Sequence, residues 1–296
     1  MVAGAVPRPL PAGAGPGLRW HRQCRAPGAG PKERGSMTHL LEIRNLSLRF
    51  PCGGMPLEDV TLTARPGELM AIVGASGAGK SLLARAVLHL LPANARMGGE
   101  IRLNGIPLSP ATAAGMRGRA LALVPQSVTF LDPLATVGQQ IRWAARRAGL
   151  PRSFPVDQAL ARVGLPPEVA RLYPGAISAG MARRVLLAAA LAGDPGVVLA
   201  DEPTDGLDPD NLRRVLRRLR ALADAGRTVV VITHDLVTAL PYADRVAVMR
   251  DGRILAEERA TAFSGDGSAL LSDWSRRLWN ALPQNAFDTA GRSTHA

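Results

Sequence analysis

The octapeptide GASGAGKS at Gly74–Ser81 constrains this chain more than any other stretch, because it separates two hydrophobic patterns of different period. Before it, Leu69–Val73 (LMAIV) is a short continuous apolar run with the length of a buried strand. After it, LLARAVLHLLP is apolar at helical spacing, and the helix is expected to run until Pro92 stops it. Strand, glycine loop and helix in that order fit the G-x-x-x-x-G-K-[S/T] pattern. The glycines let backbone N–H groups turn into a concavity around phosphates, and the positive end of the following helix adds to the attraction. Lys80 then reaches the outer phosphates and the Ser81 hydroxyl becomes a Mg²⁺ ligand. A plain glycine-rich turn is the alternative, and the flanking strand and helix favour the phosphate reading.

The rest of the chain continues the alternation. Val197–Ala200 and Thr228–Thr233 (TVVVIT) read as two more buried strands. Between them NLRRVLRRLRALADAG places Leu212, Val215, Leu216, Leu219 and Leu222 on one helix face, with Gly226 as C-cap and the arginines facing water. RVAVMR-DG-RILAEE reads as a hairpin closed by Asp251 and Gly252. Strands alternating with helices imply an α/β fold with a mainly parallel sheet covered by helices. In VVLADEP, Asp201 and Glu202 stand at a strand end, where Asp201 can hold Mg²⁺ and Glu202 can orient or activate a water. Two acids there could otherwise serve as a helix cap.

Composition narrows the class. At 296 residues and 47% hydrophobic the chain can bury a sizeable core, but its longest apolar run, Val185–Gly193, stops at Asp194 and Pro195, short of the ~20 residues of a membrane span. Cys24 and Cys52 have neither disulfide-framework nor zinc spacing, which fits a reducing cytosol. Much of the formal net charge of +12 lies in residues 1–36, which hold five arginines and Lys32 against Glu33. That distribution speaks against a nucleic-acid partner. Residues 1–36 are dense in Gly and Pro, without period, and are expected to be a disordered leader. Ordinary strand alternation begins after Met37, which is the expected natural start; a basic tail is the alternative.

Taken in order, these elements resemble the ATPase subunit of ATP-binding-cassette transporters from about Leu40 to Glu258. The carriers are Phe50, GASGAGKS, Gln126 in LVPQ, Ile177–Met181 (ISAGM), LADEP, Asp208 in DGLD and His234 in VITHD. The resemblance implies a P-loop nucleotide-binding domain over residues 37–265, with a mainly parallel core sheet, an antiparallel β subdomain and a helical subdomain at about 127–185. A C-terminal extension follows over 266–296. It implies that Phe50 stacks on adenine and that ATP is held by Gly74, Ala75, Ser76, Gly77, Ala78, Gly79, Lys80, Ser81, Leu82 and Gln126. Ser81, Gln126 and Asp201 would bind Mg²⁺, and Glu202 and His234 would be catalytic. ISAGM stands where the family has LSGGQ, which binds the γ-phosphate of ATP on the other subunit. Ser178 and Gly180 match, while Ala179 and Met181 depart. Ala179 adds a Cβ and resists positive φ, so a cost to the nucleotide contact is expected. Asp208 is carried over as a further nucleotide-site residue.

The implied partners are a second cassette, identical or paralogous, two membrane permease subunits contacted by SVTFLDPLATVGQQI, and indirectly an extracytoplasmic binding protein. The implied place is the cytoplasmic face of the membrane. Trp274–Pro283 (WSRRLWNALP) resembles the Tyr-Thr-Arg-x-Leu tail of dipeptide, oligopeptide and nickel importers, without the cysteines that some of those tails carry. Read from its residues alone it is an amphipathic helix packing Leu278, Ala281 and Leu282 on the core. The implied function is ATP-driven import of small peptides or of nickel or other chelated metals. An exporter ATPase and a non-transport cassette ATPase stand as alternatives; the long heptad insertion, second cassette or zinc cysteines usual in the latter are absent from the sequence.

Overall fold

The computed structural model describes residues 40–51, 53–282 and 285. The expectations for residues 1–36, Met37, both cysteines and Pro283 lie outside the described residues.

Two sheets carry the fold. Strands β1 (Leu41–Arg49), β2 (Leu57–Ala64), β4 (Arg96–Leu103) and β5 (Ile106–Pro107) form an antiparallel sheet in the order β2-β1-β4-β5. Strands β3 (Leu69–Val73), β6 (Leu121–Val124), β7 (Val197–Asp201), β8 (Thr228–Thr233), β9 (Arg245–Arg250) and β10 (Arg253–Arg259) form the second, ordered β10-β9-β3-β8-β7-β6. In it β9, β3, β8, β7 and β6 run parallel, and β10 returns antiparallel through the Asp251–Gly252 turn. Both turn residues have positive φ, 48° and 77°, as a tight two-residue hairpin requires. Every residue of β3, β7 and β8 is buried, which is why they read as apolar runs without alternation.

The two-residue period of β3 divides the core. Met70 and Ile72 enter the cluster shared with the antiparallel sheet and α1 (Lys80–Val87), while Ala71 and Val73 face a smaller cluster with α7 (Leu236–Ala239) and α8 (Asp273–Asn280). A third cluster joins the sheet to α3 (Val137–Arg147), α4 (Val156–Arg162), α5 (Ala179–Ala190) and α6 (Pro209–Asp224). A short helix, α2 (Pro110–Met116), starts with a Ser109/Thr112 capping box.

Three sequence expectations are corrected. Helix α1 ends at Val87, well before Pro92, because His89 takes φ 50° and turns the chain, its Nε2 paired with the Leu108 carbonyl at 2.7 Å. The arginines of α6 do not all face water: Arg220 bonds Asp244 Oδ2 at 2.6 Å, Asp224 Oδ1 at 2.8 Å and the Tyr242 carbonyl at 3.1 Å, tying the helix to the approach of β9. In the tail, Leu278 and Leu282 pack as expected but Ala281 is exposed. The anchor is Trp279, edge-on to Phe263 with ring centroids 5.9 Å apart and its indole N–H donating to the Gly265 carbonyl at 3.0 Å.

Candidate functional site

Four chain segments leave the C-terminal ends of adjacent parallel strands and meet at one place: Gly74 after β3, Gln126 after β6, Glu202 after β7 and His234 after β8. That edge is where open α/β sheets bind ligands. A cavity of about 400 Å³ lies there, lined by Pro56, Ser76, Gly77, Gly79–Leu82, Gln126 and Glu202.

The loop is shaped by close approach. A Cβ on Gly74 would run into the carbonyl of Met249 on the neighbouring strand β9. Gly79 has φ 99°, and a Cβ there would lie 2.7 Å from the Pro56 carbonyl. Gly79 is the N-cap of α1 and offers no side-chain cap, so the first-turn amides of the helix remain for an anion at the cavity. Lys80 is buried, and its Nζ donates to the carbonyls of Gly74 at 2.7 Å and Ala75 at 3.0 Å. Two of the three ammonium protons are thereby used, and the third is available to a phosphate oxygen. Burial pushes the Lys80 pKa down, opposed by the charges of Glu202 and Asp201.

Next to Lys80, the Ser81 hydroxyl donates to Asp201 Oδ1 at 2.9 Å. Burial raises the Asp201 carboxyl, with the Ser81 hydrogen bond opposing and the Glu202 charge adding to the rise. A carboxylate, a hydroxyl and the nearby Gln126 are hard oxygen donors, and a buried carboxylate with a raised pKa is one that a divalent cation would stabilise. The residues therefore fit Mg²⁺. Beside them Glu202 Oε2 meets His234 Nδ1 at 3.0 Å. Glu202 has φ 44°, a left-handed conformation unusual for a residue with a side chain, and its N–H donates to the Ile232 carbonyl at 2.8 Å.

Other expected residues lie elsewhere within this chain. Phe50 packs against the core at the end of β1 and does not line the cavity. Ser178 is the N-cap of α5, its Oγ accepting from Met181 N at 3.2 Å, on an exposed surface with Ala179. Ala179 is the first helical residue and is not among the positive-φ residues, so the expected backbone penalty of replacing glycine does not arise. Asp208 caps α6, with Oδ1 accepting from the amides of Asp210 at 3.1 Å and Asn211 at 3.0 Å. Gly180 sits beside that cap: a Cβ on it would be 3.3 Å from Asn211 Nδ2. Pro56 and Arg183 were not anticipated, and both touch the site's backbone. The signal for Arg183 was the Arg183–Arg184 pair inside an otherwise apolar helix.

Residues 57–205 match the family model described as ABC transporter. The oligopeptide transport ATP-binding protein OppD of Mycobacterium tuberculosis is 35% identical over 235 residues, which cover 74% of this chain and 38% of that protein. The chain thus spans less than half the length of this relative. The Sinorhizobium fredii protein y4tR, named a probable peptide ABC transporter ATP-binding protein, is 34% identical over 260 residues, covering 82% of this chain and 77% of its own. A solved post-hydrolysis dimer of the ATP-binding cassette MJ0796 bound to ADP and Pi superposes with a TM-score of 0.65 at 27% identity, covering 74% of this chain and 98% of that one.

Proposed function

Because the chain belongs to the ABC transporter family, we propose that it hydrolyses ATP as one of two facing cassettes and that this cycle drives import through a membrane permease. The observation that carries the hydrolytic reading is that Lys80, Ser81 and Glu202 line one cavity, with Asp201 hydrogen-bonded to Ser81 and His234 to Glu202 behind them.

The roles are assigned from the resemblance to the family together with the geometry of the site. The amides of the glycine loop and first turn of α1 bind the phosphates, and Lys80 adds positive charge at the outer end. Ser81, Asp201 and Gln126 would hold Mg²⁺, which supplies charge neutralisation at the transferred phosphoryl group. Glu202, oriented by His234, accepts a proton from the attacking water and aligns it for in-line displacement. Phe50 is assigned to the adenine. Ser178, on an exposed surface of this chain, and the half-buried Gly180 are assigned to the γ-phosphate of the nucleotide on the second cassette, beside Asp208. ATP then bridges the two subunits and its hydrolysis releases them.

By its resemblance to the family, this subunit is assigned to the membrane's cytoplasmic face and the permease to separate chains; no helix among the described residues is long and apolar enough to cross a membrane. The docking region is the segment after Gln126, where Phe130 is 63% and Leu134 87% exposed beside a mainly apolar cleft that includes Leu90, Ala144 and Leu186. Names of relatives point to peptides as cargo. Peptides, or nickel and other metals carried on peptide-like chelators, are the proposed substrates.

Lys80→Ala is expected to abolish turnover. Glu202→Gln is expected to keep nucleotide binding while stopping hydrolysis, measured by ATPase assay and fluorescent-nucleotide binding on the full-length chain with its partner subunits. Normal turnover by Glu202→Gln rejects the role of Glu202. For the cargo, a strain lacking the gene should lose uptake of labelled peptides or chelated metal; unchanged uptake together with defective efflux of some compound rejects import and leaves the ATPase reading intact.

A further inference from the structure

Arg183 is only 8% exposed and has no carboxylate paired with it at ion-pair distance among the described residues. Its guanidinium instead spans three backbone carbonyls, one from the segment after β6 and two from the loop between β7 and α6. One terminal nitrogen donates to Gln126 O at 2.5 Å and to Glu202 O at 2.9 Å, and the other donates to Asp205 O at 2.7 Å. Its Nε is buried without a partner among the described residues. Burial lowers the pKa of the group, with the Asp205 and Glu202 charges opposing. A cation buried on carbonyls alone costs more than an apolar side chain of the same volume would, so the arrangement is not explained by packing.

The carbonyl it grips belongs to the strained residue. A left-handed conformation at a residue with a side chain costs about 1–3 kcal/mol and persists only where the surroundings over-determine it. At Glu202 (φ 44°) they do so from two sides: its N–H is fixed on Ile232 O, and its carbonyl is fixed on Arg183. The carboxylate emerges between these anchors and meets His234. Arg183 also stands on α5, five positions after Ser178, about 7.5 Å along the helix axis at 1.5 Å per residue. Arg183 therefore ties the helix that starts at Ser178 directly to the Glu202 carbonyl.

We propose that Arg183 is a positioning residue for hydrolysis: it holds the backbone of Glu202, with those of Gln126 and Asp205, in the working arrangement and links it to the helix that begins at Ser178. The inference rests on Glu202 acting on the attacking water. Gln keeps a donor able to reach one or two of the carbonyls, whereas Met fills the space and offers none.

The test compares wild type, Arg183→Met, Arg183→Gln and Glu202→Gln as full-length chains with their partner subunits, reading ATPase rate against ATP concentration, nucleotide binding and melting temperature. Arg183→Met is expected to lower kcat at least about tenfold while KM and nucleotide affinity stay within about twofold, and Arg183→Gln to recover part of the loss. A kcat within twofold of wild type for Arg183→Met overturns the proposal. So does a parallel fall of kcat, nucleotide affinity and melting temperature in both variants, which marks a purely structural arginine. If Arg183→Met does not fold, Arg183→Gln decides alone: reduced kcat at unchanged KM supports the role, and unchanged kcat overturns it. Normal turnover by Glu202→Gln fails the premise separately, whatever the Arg183 variants do.

Discussion

Ser178 offers a way to separate a helix cap from a phosphate contact. Its Oγ accepts from Met181 N at 3.2 Å, so Ser178→Ala removes an N-cap worth about 0.5–2 kcal/mol. For a domain of this size, each kcal/mol corresponds to roughly 2–4 °C in melting temperature. Aspartate caps as well as serine and adds a favourable charge at the helix N-terminus of about 0.3–1 kcal/mol, so Ser178→Asp should melt no lower than wild type. Turnover is expected to go the other way. Since Oγ accepts in the cap, its own hydrogen is left to donate to a phosphate on the second cassette. Losing one such transition-state donor costs about 10²–10³ in rate, and a carboxylate placed there also repels the phosphate. Ser178→Ala should therefore be slightly less stable and strongly impaired, and Ser178→Asp fully stable and at least as impaired. Melting curves on the purified chain and ATPase rates in the assembled complex check both. If Ser178→Asp turns over like wild type, or if rate follows melting temperature through the series, Ser178 is a cap and nothing more.

Two other perturbations follow from the cavity walls. Asp201 has a raised pKa in the folded state, so its ionised form is disfavoured by folding; that cost is present above the folded pKa and disappears as pH falls through it towards and below the ordinary aspartate value of 3.8. Asp201→Asn should abolish turnover yet melt at or above wild type at neutral pH, with the difference shrinking as the pH is lowered towards 4; calorimetry at several pH values checks this, and an equal loss of stability at every pH would refute it. Gly74→Ala should destabilise more than Gly77→Ala, because a Cβ at Gly74 meets the Met249 carbonyl while one at Gly77, at φ 81°, meets nothing within 4 Å. About 1–2 kcal/mol of backbone strain is expected for the second, and a larger loss for the first, by urea titration.

The parts of this molecule that were legible in the sequence are those set by local rules. A buried parallel strand reads as an apolar run, so β3, β7 and β8 could be placed, and a lysine and serine after a glycine loop could be assigned to the cavity that Lys80 and Ser81 do line. The hairpin turn was written in Asp251–Gly252. What stayed hidden depends on what the chain meets in space. Arg220 is the same residue type as the other arginines of α6, and Arg183 stands beside a second buried arginine, Arg184; only the carbonyls and carboxylates facing them make one a tie between helix and strand and the other a clamp. The helix after the glycine loop ends early because His89 finds the Leu108 carbonyl, a partner supplied by another strand's end. Ala179 looked strained only by analogy with a glycine; as the first residue of a capped helix it sits in ordinary helical geometry.

The position of β3 in its sheet also bears on how the chain is made. Its neighbours are β8 and β9, both from the last third of the chain, and the Leu69 amide is capped by Asp244 Oδ2 at 2.8 Å across 175 residues. The back of the glycine loop is closed by the same late segment, through the Gly252 amide on the Ala78 carbonyl at 3.1 Å. At roughly 5–20 residues per second, the loop emerges from the ribosome about 10–35 s before the strand that braces it. The phosphate site is therefore written early and completed late: a truncated or stalled chain ending before β9 carries the whole glycine motif without the strand that packs against it at Gly74 and Ala78.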